Sequence, residues 1–175
     1  PPVRLIRDIS KQLSGIGRPK LKFDLHFLSG FERSVLLKTL EIPHGEVRPY
    51  AWLAREIGSP KAVRAVGSVL AKNPIPLLIP CHRVVRSDGH VGDYAFGSEA
   101  KRAMLSAEGI DPERLEGLAR SGVRYYGSDT THIFCFPTCH SAQKISDRHR
   151  ILFKSEIDAR RAGYHPCEIC RPMSA

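Results

Sequence analysis

The 175-residue chain carries 27 Lys and Arg against 18 Asp and Glu, a formal net charge of +9 with a sequence pI near 9.6. Its 42% hydrophobic content supports a packed core in one or two domains, while no run approaches the roughly 18 apolar residues of a membrane span. The opening Pro1-Pro-Val-Arg-Leu-Ile-Arg-Asp lacks the apolar centre of a signal peptide, and without an initiating Met it reads as a fragment or trimmed chain.

The basic excess suits a polyanionic partner such as nucleic acid, although a mildly basic protein without one is equally compatible. Residues 1–22 are basic and contain Gly15, Gly17 and Pro19, which reads as an arm or the remnant of a preceding domain. Apolar Phe31, Val35, Leu36 and Leu40 recur at helical spacing and predict a first amphipathic helix. Pro43-His-Gly-Glu-Val is a turn, and Tyr50 to Ile57 predicts a short second helix ending at Gly58. Ser59-Pro60 then offers an N-cap and an N1 proline for a third helix, Lys61 to about Lys72, which Asn73-Pro74 must terminate. Two short helices around a tight Gly-containing turn have the form of a helix-turn-helix. An ordinary amphipathic helix with Arg64 solvated is the plainer reading.

Next comes Ile75-Pro-Leu-Leu-Ile-Pro80-Cys81-His82-Arg83-Val84-Val85. Pro80 fixes φ and gives Cys81 a rigid support. A lone thiol in an apolar run is usually inert core, but a thiol becomes a nucleophile when a base takes its proton. On an extended segment Cys81 and His82 would point opposite ways, so a water would have to link them, and Glu108 is the carboxylate placed to orient the imidazole. Ser87-Asp-Gly-His reads as a hairpin turn, Val91 to Gly97 as a Gly-bounded loop, and Glu99 to Glu108 as a helix stopped by Gly109. A domain boundary is expected near Leu118. Beyond it, Val123-Arg-Tyr-Tyr and Ile133-Phe134 lead to the first cysteine pair, and a helix from about Ser155 to Ala162 leads to the second.

Of the five cysteines, Cys81 stands apart from Cys135, Cys139, Cys167 and Cys170. An odd count without a secretory signal argues for a reducing, cytoplasmic setting rather than a disulfide scaffold. Cys135-x3-Cys139 and Cys167-x2-Cys170 have the paired spacing of a structural Zn2+ site, and a module of some 55 residues gains from a metal the folding energy its small core lacks. Two disulfides, or His132, His140 or His165 in place of one thiolate, are the alternatives.

The stretch from Asn73 through Pro-Cys81-His82-Arg83 to Val85, with Gly45-Glu-Val-x-x-Tyr50, Arg64-Ala-Val-Gly67, Val91-Gly-x-Tyr94 and Glu108-Gly, resembles the O6-alkylguanine-DNA alkyltransferases over about Phe23 to Ile110. The resemblance implies an α+β protein whose mainly helical, winged helix-turn-helix-like domain (23–118) enters the minor groove of double-stranded DNA. It flips out the damaged guanine and moves its O6-alkyl group to Cys81 in one stoichiometric displacement. By position, His82, Glu108 and a water form the proton relay, Asn73 orders the turn before the active-site segment, and Tyr50 assists nucleotide rotation and donates to the base as it leaves with negative charge. Arg64 fills the vacated stack, and Ala62, Ala65, Gly67 and Arg83 also lie against DNA. Pro76 and Tyr94 line the alkyl pocket, while main-chain groups at Val84 and Ala95 read the guanine edge. Asp93 and Val63 depart from the usual Asn and Ala.

Thr130-Thr-His-Ile-Phe-Cys135-Phe-Pro-Thr-Cys139 with Gly163-Tyr-His-Pro-Cys167-Glu-Ile-Cys170-Arg-Pro resembles the zinc-binding domain of the bacterial Ada protein. This small α+β domain (119–175) would bind Zn2+ through Cys135, Cys139, Cys167 and Cys170, with Cys135 a second acceptor, for methyl from DNA methylphosphotriesters. Phe136 and His165 stand where arginines are usual, and the module follows the alkyltransferase half instead of preceding it. The expectation is a monomeric, nucleoid-associated repair protein with no membrane partner and no organic cofactor. A damage-recognition or Ada-like transcriptional sensor is the alternative, and a Cys-His hydrolase is disfavoured because no oxyanion-hole signature accompanies the pair.

Overall fold

The computed structural model describes residues 3–15 and 21–172, and its architecture is α+β. The basic N-terminal stretch carries a helix, α1 (Val3–Ser14), with Gly15 at φ +67° beside His44. It meets the rest of the chain at Gln12, whose side-chain amide donates to the Leu78 carbonyl at 3.1 Å. The punctuation expected at Gly17 and Pro19 lies outside the described residues.

Helix α2 (Gly30–Leu40) begins at a complete capping box, Ser29 with Glu32, and buries Val35, Leu36 and Thr39. Strand β1 (Arg48–Pro49) leads directly into α3 (Tyr50–Glu56), which buries Trp52, Leu53 and Ala54. Helix α4 (Val63–Ala71) starts two residues later than expected, because Ser59 is already committed to the end of α3. Gly58 at φ +73° donates to the Arg55 carbonyl and Ser59 N–H returns to the Ala54 carbonyl at 2.9 Å, a Schellman motif. Residues 59–62 then close a separate turn, so neither Ser59 nor Pro60 opens α4. Helices α2, α3 and α4 pack on one another around Val66, Leu70 and Leu36.

Strand β2 (Val84–Val85) pairs parallel with β1, Arg48 opposite Val84. The hairpin-type turn expected after it forms, but no strand pairs with β2 across it. Arg86 N–H donates to the His90 carbonyl at 2.9 Å, while the Val91 backbone is taken by side chains. Glu116 accepts its N–H at 2.9 Å and the Lys101 ammonium binds its carbonyl at 2.7 Å, leaving no ladder to extend. Helix α5 (Ser98–Ala107) ends before Gly109 at φ +79°, and α6 (Pro112–Arg120) is capped by Asp111 with Pro at its first position. Leu118, where the boundary was expected, therefore lies inside a helix.

The C-terminal half is a four-stranded sheet in the order β5-β3-β4-β6, formed by β3 (Tyr125–Ser128), β4 (Ile133–Cys135), β5 (Arg150–Phe153) and β6 (His165–Pro166). Strand β3 runs antiparallel to β4 and β5, while β4 and β6 are parallel. A short helix α7 (His140–Gln143) follows β4, and α8 (Glu156–Arg161) starts at Ser155, whose hydroxyl accepts from Asp158 N–H. One apolar core runs from Leu25, Trp52 and Val84 through Tyr125 and Phe134 to Cys170, so the two halves are packed together. Among the described residues no helix is long and apolar enough to cross a membrane.

Candidate active site and metal centre

Cys81 is aimed by its own backbone. Pro80, at φ −80° and ψ 64°, is the centre of an inverse γ-turn that brings Cys81 N–H within 2.8 Å of the Ile79 carbonyl. Cys81–Arg83 then wind as one turn of 3-10 helix, not the extended segment expected, because Pro80 and Cys81 offer carbonyls to the N–H groups three residues on. Asn73 secures the approach: its amide donates to the Ile79 carbonyl at 2.9 Å and to Cys81 Sγ at 3.2 Å, and its Oδ1 accepts from Ile75 N–H at 3.1 Å.

The thiol borders an open cleft of about 290 Å³ lined by Tyr50, Gly67, Leu70, Ala71, Asp93, Tyr94 and Ala95. Its Sγ lies 3.8 Å from the Tyr94 hydroxyl. Burial, reinforced by Cys81 and Asp93, raises the Tyr50 phenol above its ordinary range, and burial beside Cys81 raises Tyr94 as well. Both phenols are thus kept protonated.

Behind the thiol, His82 Nε2 lies 2.8 Å from Glu108 Oε1. Burial opposes the charge on Glu108, but bonds from His82 and Arg83 outweigh it and hold the carboxyl down at about 2. An ionised Glu108 selects the His82 tautomer with its proton on Nε2, which leaves Nδ1 as the acceptor; Nδ1 is buried without a partner in the protein. Arg83 was expected against DNA and is instead 5% exposed. Its guanidinium donates to both Glu108 oxygens and to the Ile42 carbonyl, which engages all three of its nitrogens.

Lys101 went unnoticed in the sequence. It is fully buried, and its Nζ donates to the carbonyls of Val84 at 2.7 Å, Val91 at 2.7 Å and Asp93 at 3.3 Å. The same burial lowers its pKa to about 8, against the raising influence of Cys81 and Asp93. The signal was available: Lys101 stands four residues before buried Leu105, on the inward face of α5.

In the C-terminal half, one sulfur from each of Cys135, Cys139, Cys167 and Cys170 lies within 4.8 Å of the others, and all four residues are buried. All are free thiols, so the disulfide alternative is not realised. Among the described residues this cluster contains no histidine; His132, His140 and His165 lie outside it. Tetrahedral zinc with bonds of about 2.3 Å needs sulfurs roughly 3.8 Å apart, which this cluster can meet with small adjustments. Hydrogen bonds from Cys135 and Cys170, with the Arg48 charge adding less, hold Cys139 well below the usual thiol range. Cys135 and Cys167 border a cleft in which Thr130, Ser141, Lys144, His149 and His165 stand beside apolar Ile133, Ile145 and Ile169.

Residues 30–110 match the family model for the 6-O-methylguanine DNA methyltransferase DNA binding domain, and residues 119–173 match the metal binding domain of Ada. A methylated-DNA–protein-cysteine methyltransferase of Mus musculus is 47% identical over 98 residues, covering 55% of this chain and 46% of the mouse protein. One from Methanosarcina acetivorans is 41% identical over 107 residues, covering 59% of this chain and 69% of that protein. The chain belongs to the methylated-DNA–protein-cysteine methyltransferase family. It spans about half the length of the mouse relative. A solved structure, Mycobacterium tuberculosis OGT in complex with DNA, is 31% identical with a TM-score of 0.50, covering 65% of this chain and 70% of that one.

The other residues expected from the methyltransferase resemblance divide by position. Gly67 faces the cleft, where an added Cβ would sit 3.9 Å from the Tyr50 ring. Arg64 and Ala65 are exposed on α4, and Ala62, half-buried, is its N-cap. Pro76 and Val84 fall outside the cleft lining: Pro76 bridges to Ile79, and the Val84 side chain is fully buried with its carbonyl already bound by Lys101.

Proposed function

We propose that this protein repairs DNA by taking the alkyl group of O6-alkylguanine onto Cys81, once per molecule. The observation that carries the reading is the juxtaposition of a held thiol, an open cleft and a His82–Glu108 pair whose second imidazole nitrogen lacks a protein partner. The DNA complex of the M. tuberculosis relative supports DNA as the partner. A thiol in this position cannot reach the O6 atom of a stacked base, so the guanine must turn out of the duplex into the cleft, with exposed Arg64 entering the gap.

The Cys81 proton passes through a water to His82 Nδ1, and the imidazolium is stabilised by Glu108, which Arg83 keeps ionised. The thiolate attacks the alkyl carbon; a C–S bond forms, the C–O6 bond breaks, and its electron pair stays on the guanine oxygen. The Tyr50 phenol donates to the departing base, offsetting that charge. The thioether has no built-in route back. Asn73 and the Pro80 turn fix the sulfur, and Tyr94 and Ala95 close the cleft around the base.

For the C-terminal module, the four cysteines are read as a closed zinc site, which supplies folding energy rather than an open coordination position. Cys135 is the candidate second acceptor, since its cleft offers Lys144, His149 and hydroxyl groups to a phosphotriester.

Duplex DNA carrying methyl-labelled O6-methylguanine tests the main reading. One label should appear on Cys81; no transfer by wild type, or unchanged transfer by Cys81→Ala, rejects it. Peptide mapping after DNA bearing only methylphosphotriesters tests Cys135: a methyl mass gain there is expected, and none across several doses leaves the module structural or DNA-binding.

A further inference from the structure

Both cysteine-bearing loops are fastened to one stretch of the alkyltransferase half. The loop with Cys139 is held at Glu46 and Val47: Thr138 Oγ1 accepts from the Val47 N–H at 2.9 Å, and the His140 N–H donates to Glu46 at 3.0 Å. The loop with Cys170 is held by α3. There the Trp52 indole donates to the Cys170 carbonyl at 3.0 Å, Arg55 donates to the Arg171 carbonyl at 2.6 Å, and the Arg171 guanidinium pairs with Glu56. Between these anchors, the Arg48 guanidinium lies 5.7 Å from the Trp52 ring and 5.5 Å from Phe136. Trp52 is 4% exposed and Cys170 fully buried, so solvent does not replace the bond between them.

The same stretch borders the Cys81 cleft. Tyr50, which lines that cleft, is the first residue of α3, two before Trp52. Arg48 pairs with Val84, directly after the Cys81–Arg83 turn.

We propose that α3 forms the outer layer of the metal centre, and that Trp52 couples occupancy of the four-cysteine site to the position of Tyr50 and of the α3–α4 pair. The inference rests on the reading of that cluster as a zinc site. A metal-bound cysteine fixes the direction of its own peptide group, and outer partners of a ligand commonly tune metal affinity by about 10- to 100-fold. Emptying the site frees the Cys167–Arg171 loop and takes away the acceptor that orients Trp52. A helix as short as α3, seven residues, has little stability of its own, so its order depends on such tertiary ties. Trp52 touches no reacting atom; its role is positioning.

Trp52 is the chain's single tryptophan, so its emission reports on this bond without labelling. In the experiment the full zinc-loaded chain is treated with a chelator. Zinc release is followed with a chromophoric indicator, Trp52 emission is recorded, and amide exchange in residues 50–56 is compared with that in α5. Zinc release should shift the emission and speed exchange in α3. Trp52→Phe should lose zinc on the order of tenfold faster than wild type, and Arg55→Ala, a milder change at the module surface, should move the release rate the same way. Zinc loss with unchanged α3 exchange overturns the coupling, as does a wild-type release rate in Arg55→Ala. A chain that holds no zinc by elemental analysis overturns the zinc reading and the coupling with it, whereas stoichiometric zinc without these effects overturns the coupling alone.

Discussion

His82 Nε2 stands 2.8 Å from Glu108 Oε1, across 26 residues of sequence. The contact exists because the 3-10 turn at Cys81–Arg83 swings the imidazole and the guanidinium toward the C-terminal end of α5, where one carboxylate receives both.

This arrangement has a pH signature. The Glu108 carboxyl is held at about 2 against an ordinary 4.5, so the unfolded chain takes up its proton first as pH falls. The stability it contributes is complete above about pH 4.5 and drains away toward pH 2. Glu108→Gln should cost about 3 kcal/mol at neutral pH, the cost of stranding buried Arg83, and the gap to wild type should narrow across that window. Urea titrations at several pH values measure it; a constant gap would contradict the linkage.

Tyr50→Phe separates speed from capacity. The phenol lines the cleft and is kept protonated by burial. Removing it should slow transfer on the order of 100-fold, the usual scale of a lost general acid, while the final yield of one alkyl group per chain is unchanged. Rapid-quench kinetics with labelled DNA give both quantities, and a wild-type rate would remove Tyr50 from the reaction.

Lys101 ties Val84, Val91 and Asp93 together from a fully buried position. Lys101→Met strands those carbonyls and should cost about 2–4 kcal/mol, roughly 1–3 for each group left unsatisfied with partial relaxation. Lys101→Arg should not restore stability, because a guanidinium is too wide for that space. Recovery of wild-type denaturation by the arginine variant would show that charge alone is required.

Gly127 sits in β3 with no positive φ, yet it admits no side chain. A Cβ there would lie 2.6 Å from the Phe153 ring and 2.7 Å from the Tyr164 ring, which pack against each other edge to face. Gly127→Ala should destabilise by about 1–3 kcal/mol through overpacking. Thermal unfolding checks it, with zinc content measured in parallel.

The parts of the molecule legible in the sequence are those encoded locally. Helices α2 and α3 followed from apolar spacing and a terminal Gly58, and the four-cysteine cluster from paired spacing that places two thiols in each loop. What escaped depends on partners far along the chain. Arg83 was placed against DNA by the resemblance, and only the fold reveals Glu108 as its partner. Ser59 looked like an N-cap until Ala54 claimed its N–H. Trp52 reaches the Cys170 carbonyl across 118 residues, a pairing that no period or spacing announces.

Helix α6 gives the join between the halves its character. Leu115 belongs to the apolar cluster of Val47, Val85, Val91, Leu105 and Ile110, while Leu118, one turn on, packs against the core that contains Tyr125 and Phe134. The seam has no slack linker: between α6 and β3 the N–H groups of Gly122, Val123 and Arg124 are bound to the carbonyls of Ala119, Leu118 and Phe153. For the same reason the cassette cannot be exchanged by simple splicing: transplanted after another alkyltransferase, it would arrive with half of a shared helix and none of the surface that helix was shaped to fit.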